Sequence, residues 1–229
     1  MSRNVIFQNL HRIRYKEAWD YQEERFGKLV ASKRNETFPQ EQYLLFCEHE
    51  PVFTLGKHGD KHNLLITEQT CKQRGIDFFP IDRGGDITYH GPGQLVVYPI
   101  LDLEAFGIGI KQYISMLEDV VIETLQAYDI HAQKDEKAMG VWLDAGDPRK
   151  ARKICAIGVR ASRYVTMHGL ALNVNTDLSY FHLINPCGFV DRGVTSMQQE
   201  LGAEVDFDEL SDKVKERFCR VFAMDLECA

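Results

Sequence analysis

The sequence predicts an α+β fold: a mixed, largely antiparallel sheet with flanking helices, placed on one side of it. Three observations lead there. Strand-like apolar runs follow one another across short turns, as antiparallel pairs do. Segments with helical periodicity are few and unevenly spaced, which argues against repeated βαβ units. Composition is that of an ordinary globular chain: 229 residues, 44% hydrophobic, 27% charged and seven prolines.

Each element has its own signal. "NVIFQNL" (4–10) reads as a first strand. From Tyr15, apolar positions Ala18, Trp19, Phe26, Leu29 and Val30 recur at helical spacing and predict a helix to about Lys33. "QYLLFCEHEPVFTLG" is strand-like but interrupted at Pro51. "TEQTCKQRG" predicts a short helix, capped by Thr67 and stopped at Gly75. "IDFFPI" and "QLVVYPILDL" read as strands on either side of a glycine-rich stretch. "IKQYISMLEDVVIETLQAYDI" predicts a long helix with Tyr113, Leu117, Val120, Val121 and Leu125 on its apolar face. Three strands follow, in "MGVWLD", "KICAIGVRAS" and "HGLALNVN", the first two separated by the charged turn "DPRKARK". Leu210, Val214, Phe218 and Phe222 mark a C-terminal helix at about 206–223, opened by Asp206 or Asp208. A small C-terminal lobe is compatible with this pattern, but residues 1–229 read as one domain.

Composition also excludes function classes. A net charge of −7 argues against nucleic acid as a partner, because phosphate binding favours a basic surface. No apolar run approaches the ~18 residues of a membrane span, and the first twenty residues lack a secretory apolar core, so a cytoplasmic protein is expected. The six cysteines show no CxxC spacing and read as reduced thiols.

Four segments hold candidate chemistry. "RGGDITYHGPGQ" (83–94) lacks the phosphate-loop and dinucleotide patterns, and a strand, not a helix, follows it. Its glycines are expected to let backbone approach a ligand closely, although a plain hairpin would look similar. Cys187 in "INPCGF" lies in a turn, where a thiolate could act as nucleophile. Lys153 could depress the pKa of a nearby thiol, and strand alternation places Cys155 on its face, making Cys155 a rival nucleophile. His90 and His168, both in Thr-x-His-Gly segments, could line one pocket. His49, His58 and His62 make a poor metal set, since the latter two sit in a loop around Gly59 and no cysteine joins them.

Taken together, "EHEPVFTLGKHG", "RGGDITYHGPGQLVVYPI", "KICAIGVR" and "HGLALNVNTDLSYFHLINPCGF" resemble the octanoyltransferases of lipoate biosynthesis, with the catalytic fold of biotin and lipoate protein ligases. The resemblance covers most of the chain and is loose at 144–152 and over the last fifty residues. It implies transfer of an octanoyl group from octanoyl-acyl carrier protein to a lysine of a lipoyl domain, in 2-oxoacid dehydrogenase complexes or the glycine cleavage H protein. It implies Cys187 as the acyl-thioester nucleophile, in preference to Cys155, and Lys153 as the group that lowers its pKa. It further implies an acyl pocket lined by Arg83, Gly84, Gly85, Asp86, Ile87, Thr88, Tyr89 and His90, by Ala156, Ile157 and Gly158, and by Gly169, Leu170 and Ala171. No cofactor or metal is expected, because the donor thioester is already activated. The acidic donor expected from the family could be steered by the basic residues around Lys153: Arg149, Lys150, Arg152, Arg160 and Arg163. Competing readings are an ATP-dependent lipoate or biotin ligase, a non-catalytic acyl-protein binding module, and a thioesterase.

Overall fold

The computed structural model describes residues 3–35, 41–185 and 192–228. Its strands are β1 (Asn4–Ile13), β2 (Tyr43–His49), β3 (Val52–Leu55), β4 (Asp77–Pro80), β5 (Ile87–His90) and β6 (Gln94–Ile100), followed by β7 (Gln133–Lys134), β8 (Val141–Leu143), β9 (Arg152–Ser162), β10 (Val165–Asn173), β11 (Gly193–Val194) and β12 (Asp225–Cys228). The helices are α1 (Tyr15–Asn35), α2 (Glu68–Gln73), α3 (Leu103–Phe106), α4 (Ile110–Gln126), α5 (Met197–Leu201) and α6 (Phe207–Phe222).

Two sheets form where the sequence suggested one. The large sheet runs β12-β1-β2-β6-β10-β9-β8-β7, with β11 also on β9; the small one runs β4-β3-β5. Along the path from β2 to β7 successive strands are antiparallel, while β11 lies parallel on β9 and β1 lies parallel to both β2 and β12. Pro51 separates β2 from β3, and the chain changes sheet there. It returns through the glycine-rich stretch, since β5 pairs with β3 and β6 pairs with β2. That stretch is a crossing between sheets, not a hairpin.

The helices occupy both faces of the large sheet, not one side. Leu44, Phe46, Leu95 and Val97 pack with α4 and α6 in the main core, which Leu210, Val214, Phe218 and Phe222 complete. Leu45, Cys47, Val96 and Tyr98, the intervening residues of the same strands, pack on the other face with Ala18, Phe26 and Leu29 of α1. Period-2 alternation with both sets apolar marks a strand buried on both sides, and a helix on each face follows. The helix ends follow ordinary capping chemistry. Asp206 accepts from the N–H groups of Asp208 and Glu209 to open α6, and Thr67 accepts from Thr70 to open α2. No helix among the described residues is long and apolar enough to cross a membrane.

Candidate active site

A cavity of about 280 Å³ lies between the small sheet and the α1 face of the large one. Ile87, Thr88 and His90 of β5 contribute one wall, and the floor comes from Val96 and Tyr98 of β6, Ala171 of β10 and Ala156 of β9. Ala138, Met139 and Trp142 close one end with Lys153 and Arg192. Small residues dominate the floor because a sheet face bearing larger ones would fill the gap that the small sheet spans.

Most of the sequence-predicted lining converges here. Arg83, Gly85, Asp86, Ile87, Thr88, His90, Lys153, Ala156, Ile157, Gly158, Gly169, Leu170 and Ala171 all border the cavity. Gly84 and Tyr89 do not. Gly84 donates its N–H to Val159 O at 3.0 Å, and Tyr89 stacks on Tyr180 at 4.5 Å in a satellite core under the small sheet. Strand alternation explains Tyr89: its neighbours Thr88 and His90 face the cavity, so it points away. Ile157 and Leu170 belong, by their side chains, to the main core on the far face. Cys187 lies outside the described residues.

The glycines serve the frame rather than the ligand. A Cβ on Gly169 would sit 2.1 Å from Val97 O, and one on Gly158 2.9 Å from Gly84 O. Gly85 has φ +90°, a conformation other residues rarely adopt. The missing side chains are replaced by protein backbone, which locks the Arg83 segment onto β9.

The floor is polar at one end. Arg83, 8% exposed, donates to Thr54 O and Oγ1 and to Gly84 O, each at 2.9 Å. Around it stand three buried histidines. His49 bonds Tyr98 OH at 2.6 Å and Ile13 O at 3.0 Å. His90 Nδ1 bonds Gln94 Oε1 at 2.7 Å, and Gln94 Nε2 donates to Asn173 Oδ1 at 2.8 Å. His168 Nε2 faces Asp82 Oδ1 at 3.3 Å. Burial pushes His90 down to about 3, helped by the neighbouring His49 and Arg83 charges, and pushes His49 down to about 4. His168 is lowered by burial against the opposing pull of Asp82. Burial likewise raises the Tyr15 and Tyr98 hydroxyls well above the usual phenol range. At neutral pH the histidines are therefore uncharged hydrogen-bonding groups near the Arg83 guanidinium.

Lys153 and Cys155 do not share a face. Trp142 pairs with Lys153 and Val141 with Cys155, so Ile154 is an extra residue in β9 and a bulge breaks the alternation. Lys153 reaches the cavity, its ammonium 4.6 Å from the Trp142 ring. Cys155 is fully buried in the main core, where burial raises its thiol pKa. A thiol held protonated and out of reach is no nucleophile.

Three of the basic residues near Lys153 have acidic partners of their own. Arg152 pairs with Glu200 and Asp144, and Arg160 with Glu23 and Asp82. Arg149 is exposed beside Asp147 at 3.8 Å. His49 is buried in the sheet while the His62 side chain is 94% exposed beside Asp60, so these two do not form a common ligand set.

Trp142, Arg192 and Met139 border the cavity without having been singled out from the sequence. Arg192 Nη1 pairs with Asp135 at 2.5 Å and its guanidinium stacks 5.1 Å from the Trp142 ring. Arg192 lies some fifty residues along the chain from Met139 and Trp142, and pairing of β8 and β11 with β9 brings them together.

Residues 14–219 match the lipoyl protein ligase A/B catalytic domain. The chain belongs to this family. It is 52% identical over 217 residues to an octanoyltransferase of Parabacteroides distasonis, covering 95% of this chain and 98% of that one. It is 57% identical over 203 residues to an octanoyltransferase of Bacteroides fragilis, covering 88% and 90%. Relatives this similar make the family member an acyltransferase. Among solved structures, a bipartite lipoate protein ligase from Thermoplasma acidophilum aligns at TM-score 0.69 and 16% identity, over 99% of this chain and 86% of that one. A lipoate-protein ligase A bound with ATP aligns at TM-score 0.69 and 15% identity, over 100% and 89%. A biotin protein ligase from Aquifex aeolicus aligns at 0.56 and 16%, over 95% and 70%. These likenesses establish the ligase-type catalytic fold.

Proposed function

We propose that residues 1–229 act as one catalytic domain that moves an octanoyl group from acyl carrier protein to a lysine of a lipoyl domain, through a thioester on Cys187. The observation that carries this reading is the cavity: Lys153 stands at one end of a floor whose middle, at Val96, Ala156 and Ala171, is apolar. Burying the seven-carbon tail of an octanoyl group there contributes up to about 5 kcal/mol, at ~0.8 kcal/mol per methylene.

The chemistry balances without a nucleotide. The Cys187 thiolate attacks the donor carbonyl, the carbon–sulfur bond to the carrier breaks, and the carrier thiolate leaves. The acceptor lysine amine then attacks the enzyme thioester, forming an amide and returning the Cys187 thiolate. Lys153 as an ammonium holds the thiolate, gives its proton to the departing carrier thiolate, and as a free amine then takes the proton of the attacking lysine, which restores the ammonium–thiolate pair. The chain geometry supports this pairing. Asn185, two residues before Cys187, donates to Asn63 O at 2.7 Å, and Val194, seven residues after it, is paired with Lys153. The expected acceptors are lipoyl domains of 2-oxoacid dehydrogenase complexes and the H protein of glycine cleavage, in the cytoplasm.

Intact-mass measurement tests the reading. Octanoyl-carrier protein alone should add one octanoyl group, about 126 Da for acyl-for-hydrogen exchange at a thiol. The adduct should map to the peptide containing "INPCGF", be labile to hydroxylamine, and discharge onto a lipoyl domain without ATP. Transfer that needs ATP, or that survives Cys187→Ala in full, would replace the transferase with the ligase reading.

A further inference from the structure

We infer that Tyr98 and Val96 of β6, together with the Arg83 stem lying on Gly158, set the length of acyl chain the cavity accepts; this rests on the acyl-transfer reading above. The floor of the cavity is a measured strip of sheet. From Lys153 to Gly158 along β9 is five residues, at most about 16 Å at the strand rise of ~3.3 Å per residue and less across the bulge at Ile154. Midway, Ala156 pairs with Ala171, and Ala171 pairs with Val96, so three small side chains form a row across the sheet. In the next row Gly158 pairs with Gly169, and one residue further along β6 from Val97 is Tyr98.

The strip ends at that second row. A Cβ on Gly158 would meet Gly84 O at 2.9 Å and Arg83 Cδ at 3.0 Å, so the Arg83 segment already lies on the sheet there. Gly84 N–H to Val159 O fixes it in place. Beside it the Tyr98 ring is 4% exposed and packed among the buried side chains between the large sheet and α1, which leave it no room to swing aside; its hydroxyl also bonds His49 at 2.6 Å. A chain entering from the Lys153 end therefore runs over the alanine row and stops against Tyr98 and the Arg83 stem. Val96 sets the height of the floor just before the stop. A methylene that finds no room changes discrimination by roughly 10–200-fold in a hydrophobic pocket.

The test measures enzyme-acyl formation by intact mass, with rates, for carrier protein loaded with hexanoyl, octanoyl, decanoyl or dodecanoyl groups. Tyr98→Leu should open the end and raise decanoyl over octanoyl by about tenfold or more. Val96→Leu should raise the floor and move the preference towards hexanoyl by a similar factor. Tyr98→Phe keeps the ring and should keep the octanoyl-to-decanoyl ratio of the parent chain. Parent-like ratios in both Tyr98→Leu and Val96→Leu, with adducts forming, would overturn the stop while leaving acyl transfer standing. Should Tyr98→Leu fail to fold, Val96→Leu alone decides by the same ratio. No adduct on the parent chain with any donor would instead sink the acyl-enzyme reading, and this inference with it.

Discussion

On the face covered by α4 and α6, β6 and β10 present Leu95, Val97, Leu170 and Leu172 to an aliphatic and aromatic core. On the opposite face the same two strands present Gln94, Val96, Tyr98, Ala171 and Asn173 to the cavity. There Arg83, His49, His90 and His168 are all buried, and most of their polar atoms are bonded within the cluster. One backbone thus supports two environments, divided by nothing thicker than the sheet. The first is stable because it is predominantly apolar, with Glu118 and the Tyr113 hydroxyl as buried exceptions. The second admits them because most of their polar atoms have partners, His168 Nδ1 being an exception, and buried polar groups without partners would cost roughly 1–3 kcal/mol apiece. Stability and chemistry can therefore be perturbed separately.

The largest effect expected falls on the core face. Phe218→Ala removes a fully buried ring that stacks on Phe222 at 5.6 Å, and should cost about 3–5 kcal/mol by urea unfolding. Acyl-chain preference of the remaining folded protein should not move; a shifted preference would show that the two faces are coupled. Next, Lys153→Met should slow enzyme acylation about a hundredfold, the lower end of general acid–base effects, with little change in unfolding midpoint. An unchanged rate, or an unchanged pH profile of iodoacetamide labelling at Cys187, would remove Lys153 from the chemistry.

The cavity face should also carry its own pH signature. His49 and His90 have folded pKa values below their unfolded value near 6.5, so the unfolded chain binds more protons between those limits. Their contribution to stability is fully present above pH 6.5 and is lost as pH falls towards about 4 and about 3. Between pH 7.5 and 5.5 each should cost about 1 kcal/mol. Replacing His90 by Gln should remove about that much of the loss, as read from urea curves at the two pH values; an identical loss in the variant would locate the pH dependence elsewhere. The smallest effect belongs to the exposed turn. Charge reversal at Arg149 and Lys150 should slow acylation by carrier protein only a few-fold and flatten its salt dependence, sparing a small octanoyl thioester. Equal slowing with both donors would place these residues in the site's shape and not in the encounter.

The two faces differed in how far the sequence revealed them. The long apolar runs of β2, β6 and β10 and the periodicity of α1, α4 and α6 made the elements legible, because burial dictates period 2 or 3.6. Which face each helix would take was not legible: side is a tertiary outcome, and α1 lies opposite α4 and α6. The bulge at Ile154 carries no local signal, so alternation misplaced Cys155. At the site, the glycines of the 83–94 stretch read as room for a ligand, since a glycine required by neighbouring backbone, as Gly93 is by Asn175, and one required by a ligand look alike in sequence. Trp142 and Arg192 escaped notice for a different reason. Each is an ordinary residue until β8 and β11 pair with β9 and bring it to the cavity.

Glu118 crosses the divide between the faces. It projects from α4 on the core side, is 7% exposed, and accepts the Gly140 N–H at 3.2 Å, with burial raising its pKa. Gly140 ends the segment whose Ala138 and Met139 border the cavity. A loop at a cavity mouth would ordinarily fluctuate on its own clock. Here its last amide is fastened to a helix of the main core, so that amide should exchange with solvent deuterium on the slow schedule of α4 and not on the fast schedule of its loop neighbours. The rim keeps time with the core.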